Sequence, residues 1–249
     1  FYAQTVDDLH PLNAEIKDAM KADKAKMSGL TTDDPYKLAR LNRGVNGKSE
    51  HFLEYSPFKF GAYENVGKSL KEILKPIGDR LDDVRAYAIA KRSAELTQRG
   101  IVSGIDQADA LATIARLEVE MEPIFRELVE YQDHVLNYRA DSGVLSKEAV
   151  AAMRAANKDY VPFFRVMDPD KSGSFIGKGL NVFQPTKKIK GSERDIVDPL
   201  ESIIKNTYLF INIADRNAVG DALLRLGERV PGIARVVKTP TQVTRVTGE

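Results

Sequence analysis

The chain has 249 residues, 43% hydrophobic and 29% charged, with a formal net charge of only +1. That is ordinary globular composition, long enough to bury a full core as one large domain or two small ones. The near-zero net charge removes the simplest whole-domain argument for a nucleic-acid partner. With no cysteine at all, disulfides, thiolate nucleophiles and Cys-based zinc or iron sites are excluded, and the chain is suited to crossing between oxidising and reducing compartments.

Helical periodicity dominates from the first third onward. Asp34-Pro35 reads as an N-cap followed by proline in the first turn, and Tyr36, Leu38, Leu41 and Val45 follow at helical spacing as far as Gly47. Lys68 and Ser69 begin a solvated helix that carries Leu70, Ile73 and Leu74 inward. Over 79–99, Leu81, Val84, Tyr87, Ala88, Ile89 and Leu96 form an apolar stripe, and Gly100 ends it.

Asp106 caps the longest element. Its apolar positions, Leu111, Ile114, Leu117, Met121, Ile124, Phe125, Leu128, Val135 and Leu136, step by threes and fours to Tyr138. An interior proline removes a backbone donor and clashes with the preceding turn, so Pro123 predicts a kink or a split. Asp141, Ser142 and Gly143 break the helix, and Ser146 caps a short one to Asn157.

Residues 160–192 change character, with Gly173, Gly177, Gly179 and Gly191 among aromatic and polar residues. They read as a long irregular loop, and loops of that length inside a domain are uncommon and tend to be functional or disordered. Asp198-Pro199 then caps a second long helix through Ile203, Ile204, Ile211, Ala214, Ala218, Leu223 and Leu226 to Gly227, and the β-branched alternation of 233–246 predicts an extended tail. The expectation is a mainly α, multi-helix bundle with long kinked helices. It comprises one domain over 1–228 with a loop insertion at 159–192, and a tail over 229–249. No apolar run, such as Tyr208-Leu209-Phe210-Ile211, approaches the roughly 20 residues of a membrane-spanning helix.

Several words mimic chemical sites. Residues 62–69, ending Gly67-Lys68-Ser69, have the spacing of a phosphate-binding loop, but the first glycine is replaced by Ala62 and the preceding segment is a poor buried strand. Asp168, Asp170, Ser172 and Gly173 copy the first half of a calcium loop, yet Gly179 stands where the bidentate Glu belongs. His134, with Asp133 beside it and Glu130 one turn before, is the one histidine with acid neighbours, and reads as a surface helix residue ahead of a general base. No catalytic residue, metal site or cofactor is assigned.

Charge is more segregated than the total suggests. The stretch 106–141 carries nine acids against three arginines, whereas 158–194 carries eight bases against four acids, interleaved with Tyr160, Phe163, Phe164, Phe175 and Phe183. Cations for phosphates and rings for stacking are what a single-stranded nucleic-acid site uses. Lys178, Lys187, Lys188, Lys190 and Arg194 are therefore the candidate contacts for a nucleic acid or a partner; the simpler reading makes the rings loop anchors and the lysines solvated. A third reading pairs the basic loop with the acidic helix of a neighbouring copy.

Leu9-His10-Pro11-Leu12, the run Pro35 to Arg40, Arg99-Gly100, Tyr131-Gln132-Asp133, Asp141 to Leu145, Asp159 to Phe163 and the run from Ile189 to Asn217 together resemble a large polyvalent protein-associated domain. Such domains occur in very long polypeptides of phages and other mobile elements, including the internal virion proteins ejected with DNA. The resemblance covers most of 7–220 and implies a module of a longer chain, which also accords with Phe1 in place of an initiator Met. It further implies a structural, non-enzymatic role in the virion, in the capsid interior or tail, with delivery into the host envelope or cytoplasm. Its partners would be other regions of the same polypeptide, copies of itself, other virion proteins and DNA. A nucleic-acid-binding module, or part of an enzyme whose site lies outside the fragment, are the alternatives.

Overall fold

The computed structural model of the chain describes residues 7–24, 27, 34–157, 198–230 and 233. The readings placed on 160–192, on Lys178, Lys187, Lys188, Lys190 and Arg194, on the calcium-like word and on most of the tail lie outside these residues. Among the described residues 75% are helical, as the periodicity predicts. The helices are α1 (His10–Ala22), α2 (Pro35–Asn42), α3 (Val45–Glu54), α4 (Leu70–Leu74), α5 (Leu81–Gln98), α6 (Gln107–Asp141), α7 (Lys147–Ala156) and α8 (Pro199–Arg229), with a 3-10 turn at Lys75–Ile77. Where the sequence predicts one domain over 1–228, the chain groups into two compact units, 1–45 with 212–249 and 46–211.

In the first unit Ile16, Met27 and Leu226 are buried together, flanked by Leu12, Ala19, Tyr36 and Leu223. Asp34 starts α2 by accepting from the backbone N–H of Tyr36 and Lys37. The helix then stops at Asn42, and α3 begins at Val45 and runs through Gly47, so the periodic run expected to end at Gly47 is broken at 43–44 instead. An ion-pair clasp ties α2 to the segment before α1. Asp7 Oδ2 accepts from Tyr36 Oη at 2.7 Å and from Arg40 at 3.3 Å, and Arg43 reaches Asp8.

The second unit is organised by α5 and α6, its most extensive helix pair. Ser93 meets Ser103 near the connecting corner, and Arg80 pairs with Glu120 at the far end, so the helices run back along one another. Gly100 turns the corner with φ +68°. Asp106 Oδ1 accepts from Ala108 and Asp109 N–H, satisfying donors the first turn leaves orphaned. From there α6 continues for 35 residues, about 52 Å at 1.5 Å per residue.

Pro123 does not split this helix. The carbonyl that loses its partner belongs to Val119, a residue 90% exposed, so the break falls on the solvent side of the helix. One face of α6, with Leu117, Met121, Phe125, Leu128 and Val135 buried, holds the helix from both sides of the proline. Packing outweighs the local cost of about 3 kcal/mol.

Candidate functional site

The stretch of α6 between Glu122 and Arg139 carries several of the polar contacts of the second unit. Tyr131 Oη lies 3.1 Å from Thr207 Oγ1, and the Thr207 hydroxyl donates to the Ile203 carbonyl at 3.0 Å. One position along, Asn206 Nδ2 donates to Gln132 Oε1 at 2.9 Å. Further on, the Arg139 guanidinium stacks 4.6 Å from the centre of the Phe210 ring. These three contacts join α6 to residues 199–211 of α8. Burial pushes the Tyr131 phenol well up, with the Thr207 contact opposing.

On the neighbouring flank, Arg154 of α7 grips Asp133 with two hydrogen bonds, Nε to Oδ1 at 2.7 Å and Nη2 to Oδ2 at 2.8 Å, and also donates to Asn137 at 2.6 Å. Asn157, at the end of α7, accepts from Arg92 and Arg99 of the α5 end. A recess of about 400 Å³ lies here, lined among others by Val129, Gln132, Leu136, Met153, Arg154 and Phe210.

On the other flank is a smaller recess of about 250 Å³, lined by Gly67, Lys68, Ile73, Glu127, Glu130, Tyr131 and His134. Lys68 Nζ donates to Glu127 at 2.5 Å, and this hydrogen bond raises the ammonium's pKa. The phosphate-loop word does not form such a loop. Ser69 Oγ is the N-cap of α4, accepting from Glu72 N–H, and Leu70 and Ile73 are buried, which is the helix-start reading of the sequence. Before it, Phe58 bridges Asn65 and packs with Phe52 and Tyr138, so the segment is an aromatic plug.

His134 is not oriented by an acid as a general base would be. Its Asp133 neighbour is held by Arg154, Glu130 stands 3.7 Å from Nε2, and Nε2 is buried against Gly67 without a hydrogen bond. Among the described residues no group of three or more His, Asp or Glu side chains is placed to hold a metal ion. No described helix is long and apolar enough to cross a membrane.

A third polar cluster was not legible in the sequence. Glu122 accepts from Tyr87 Oη at 2.6 Å and Arg126 Nε at 2.6 Å, and Lys91 lies 3.2 Å away. Burial works against its charge, but these donors hold the carboxyl below its ordinary range. Burial, then the Glu122 bond, pushes the Tyr87 phenol up. Each of these groups is spent on a neighbour within the unit, which makes the cluster a fastener between α5 and α6. Comparison with family models, with curated proteins and with solved structures gives no match to this chain.

Proposed function

We propose that the chain is a structural and interaction module of a large phage virion-associated polypeptide of the kind ejected with DNA, acting by packing and assembly, with no reaction of its own. One observation supports this reading above the others. Several of the words that carry the resemblance, where they fall on described residues, sit at helix starts, helix corners and inter-helix hydrogen bonds.

Leu12 packs on the core of the first unit, and Tyr36 and Arg40 close on Asp7. Arg99 reaches Asn157 across the corner. Tyr131, Gln132 and Asp133 bind Thr207, Asn206 and Arg154. Ser142, just past α6, donates to the Arg139 carbonyl at 2.7 Å. Residues spent on architecture support a scaffold, and the resemblance supplies its context: other regions of the same polypeptide, further copies and other virion proteins as partners, and the particle as location.

Mass spectrometry of gradient-purified particles from the element that encodes the chain should recover peptides from both units in fixed ratio to the major particle proteins. Abundance in infected cells with none in purified particles would overturn the proposal.

A further inference from the structure

Over its first half α6 carries a second apolar face. Ala110, Leu117 and Met121 are buried. At 3.6 residues per turn, Ala108, Ala112, Ala115 and Val119 fall on the opposite side of the helix, where all four are exposed, Val119 to 90%. Leu111 borders them at 51% exposed. A helix with one covered side ordinarily turns polar and charged residues outward. Here the outward side holds an unbroken apolar stripe with two bulky members, and its steps of four, three and four residues are those of a coiled-coil seam.

The edges of the stripe say what fits on it. Asp109 and Arg116 stand on one flank, both exposed, and Arg116 reaches Asp83 only at 3.7 Å with 63% of its side chain exposed. When two copies of this helix lie antiparallel, Ala108 of each meets Val119 of the other, and Ala112 meets Ala115. That register brings Asp109 opposite Arg116 of the second copy, and the two-fold axis repeats the pair. On the other flank Leu111 meets Glu118, so no like charges oppose. A parallel pairing sets Arg116 against Leu111 instead and leaves both charges unmatched.

We propose that the N-terminal half of α6 is a self-association surface that pairs two copies of the chain antiparallel along the stripe from Ala108 to Val119, with Asp109 and Arg116 setting the direction. So short a seam makes a weak, reversible dimer. The surface gives a place to one partner class of the virion reading, further copies, but is derived from α6 alone. Purified chain tests it, whereas particle composition tests that reading.

Sedimentation equilibrium of the full chain should show a concentration-dependent exchange between monomer and dimer. Ala115→Glu, which puts a charge at the centre of the seam while keeping a good helix former, should weaken the dimer at least ~10-fold. Arg116→Asp should weaken it roughly two- to thirty-fold, the value of two exposed ion pairs, and adding Asp109→Arg should restore the parent affinity. Because the chain has no cysteine, an introduced one reports direction. A mixture of Ala108→Cys and Val119→Cys chains should form disulfides between the two variants. Neither should cross-link to itself, since antiparallel pairing holds like positions about 16 Å apart along the axis. A chain monomeric up to about 1 mM, a dimer indifferent to Ala115→Glu, an Arg116→Asp loss that Asp109→Arg does not recover, or like-with-like cross-linking as fast as the mixed pair would overturn the proposal.

Discussion

Gly67→Ala isolates the contact that seats the α4 entry against α6. Gly67 has φ +73°, and a Cβ built there would stand 2.6 Å from His134 Nε2 and 2.9 Å from Cδ2. Two costs therefore add. A side chain in the left-handed region costs roughly 1–2 kcal/mol, and forcing the imidazole aside costs a further ~1–3 kcal/mol, as overpacking generally does. The expected loss is about 2–5 kcal/mol of unfolding free energy, read by urea titration with far-ultraviolet circular dichroism.

Gly100→Ala is the control, because φ is +68° there and nothing lies within 4 Å of the added carbon. It should show the backbone cost alone, roughly 1–2 kcal/mol. Removing the imidazole with His134→Ala should return the steric part, giving a coupling of about 1–3 kcal/mol in the double-mutant cycle. A Gly67→Ala cost no larger than that of Gly100→Ala, or a coupling near zero, would refute the close approach of Gly67 and His134.

Three further outcomes are expected. Pro123→Ala should raise the melting temperature, with up to ~3 kcal/mol available from restoring the helical hydrogen bond; an unchanged transition would mean that hydration of the Val119 carbonyl already offsets the loss. Tyr131 has its folded-state pKa raised by burial, so the stability it contributes is complete below the ordinary tyrosine value near 10 and is lost as pH rises through the folded value. Tyr131→Phe should flatten the alkaline limb of the stability profile, and an identical limb would contradict the burial argument. On the sequence reading of 158–194, changing Lys187, Lys188 and Lys190 together to Ala should leave single-strand binding immeasurable at physiological salt, as in the parent chain. Micromolar, salt-sensitive binding lost in the triple variant, with the salt slope falling by about 0.7 per contact, would instead promote the nucleic-acid alternative.

The helices were legible where local chemistry fixes them. Asp34, Ser69, Asp106 and Ser146 each cap the helix their position in the sequence predicts, because capping depends on residues only two or three positions apart. The break between α2 and α3 was not legible, since the apolar spacing runs on through it. Pro123 misled in part because propensity is local, whereas the apolar face that holds α6 together is set by tertiary packing.

The polar layer was beyond sequence for a different reason. Tyr131 and Gln132 find Thr207 and Asn206 at separations of 76 and 74 residues, and no periodicity encodes which polar side chains on two helices will face each other. Likewise Asp133 beside His134 invites an acid–base reading until Arg154 of another helix is seen to hold the carboxylate. Lys178, Lys187, Lys188, Lys190 and Arg194 lie outside the described residues.

Lysine cross-linking followed by mass spectrometry on intact purified particles tests the assembly reading most directly. Lys21, Lys37, Lys59, Lys71 and Lys205 have exposed side chains and can report neighbours. The expected result is reproducible links from these lysines to other virion proteins or to distant regions of the same polypeptide, alongside links internal to each unit. Internal links alone, or recovery of the chain only in the soluble fraction of infected cells, would contradict it.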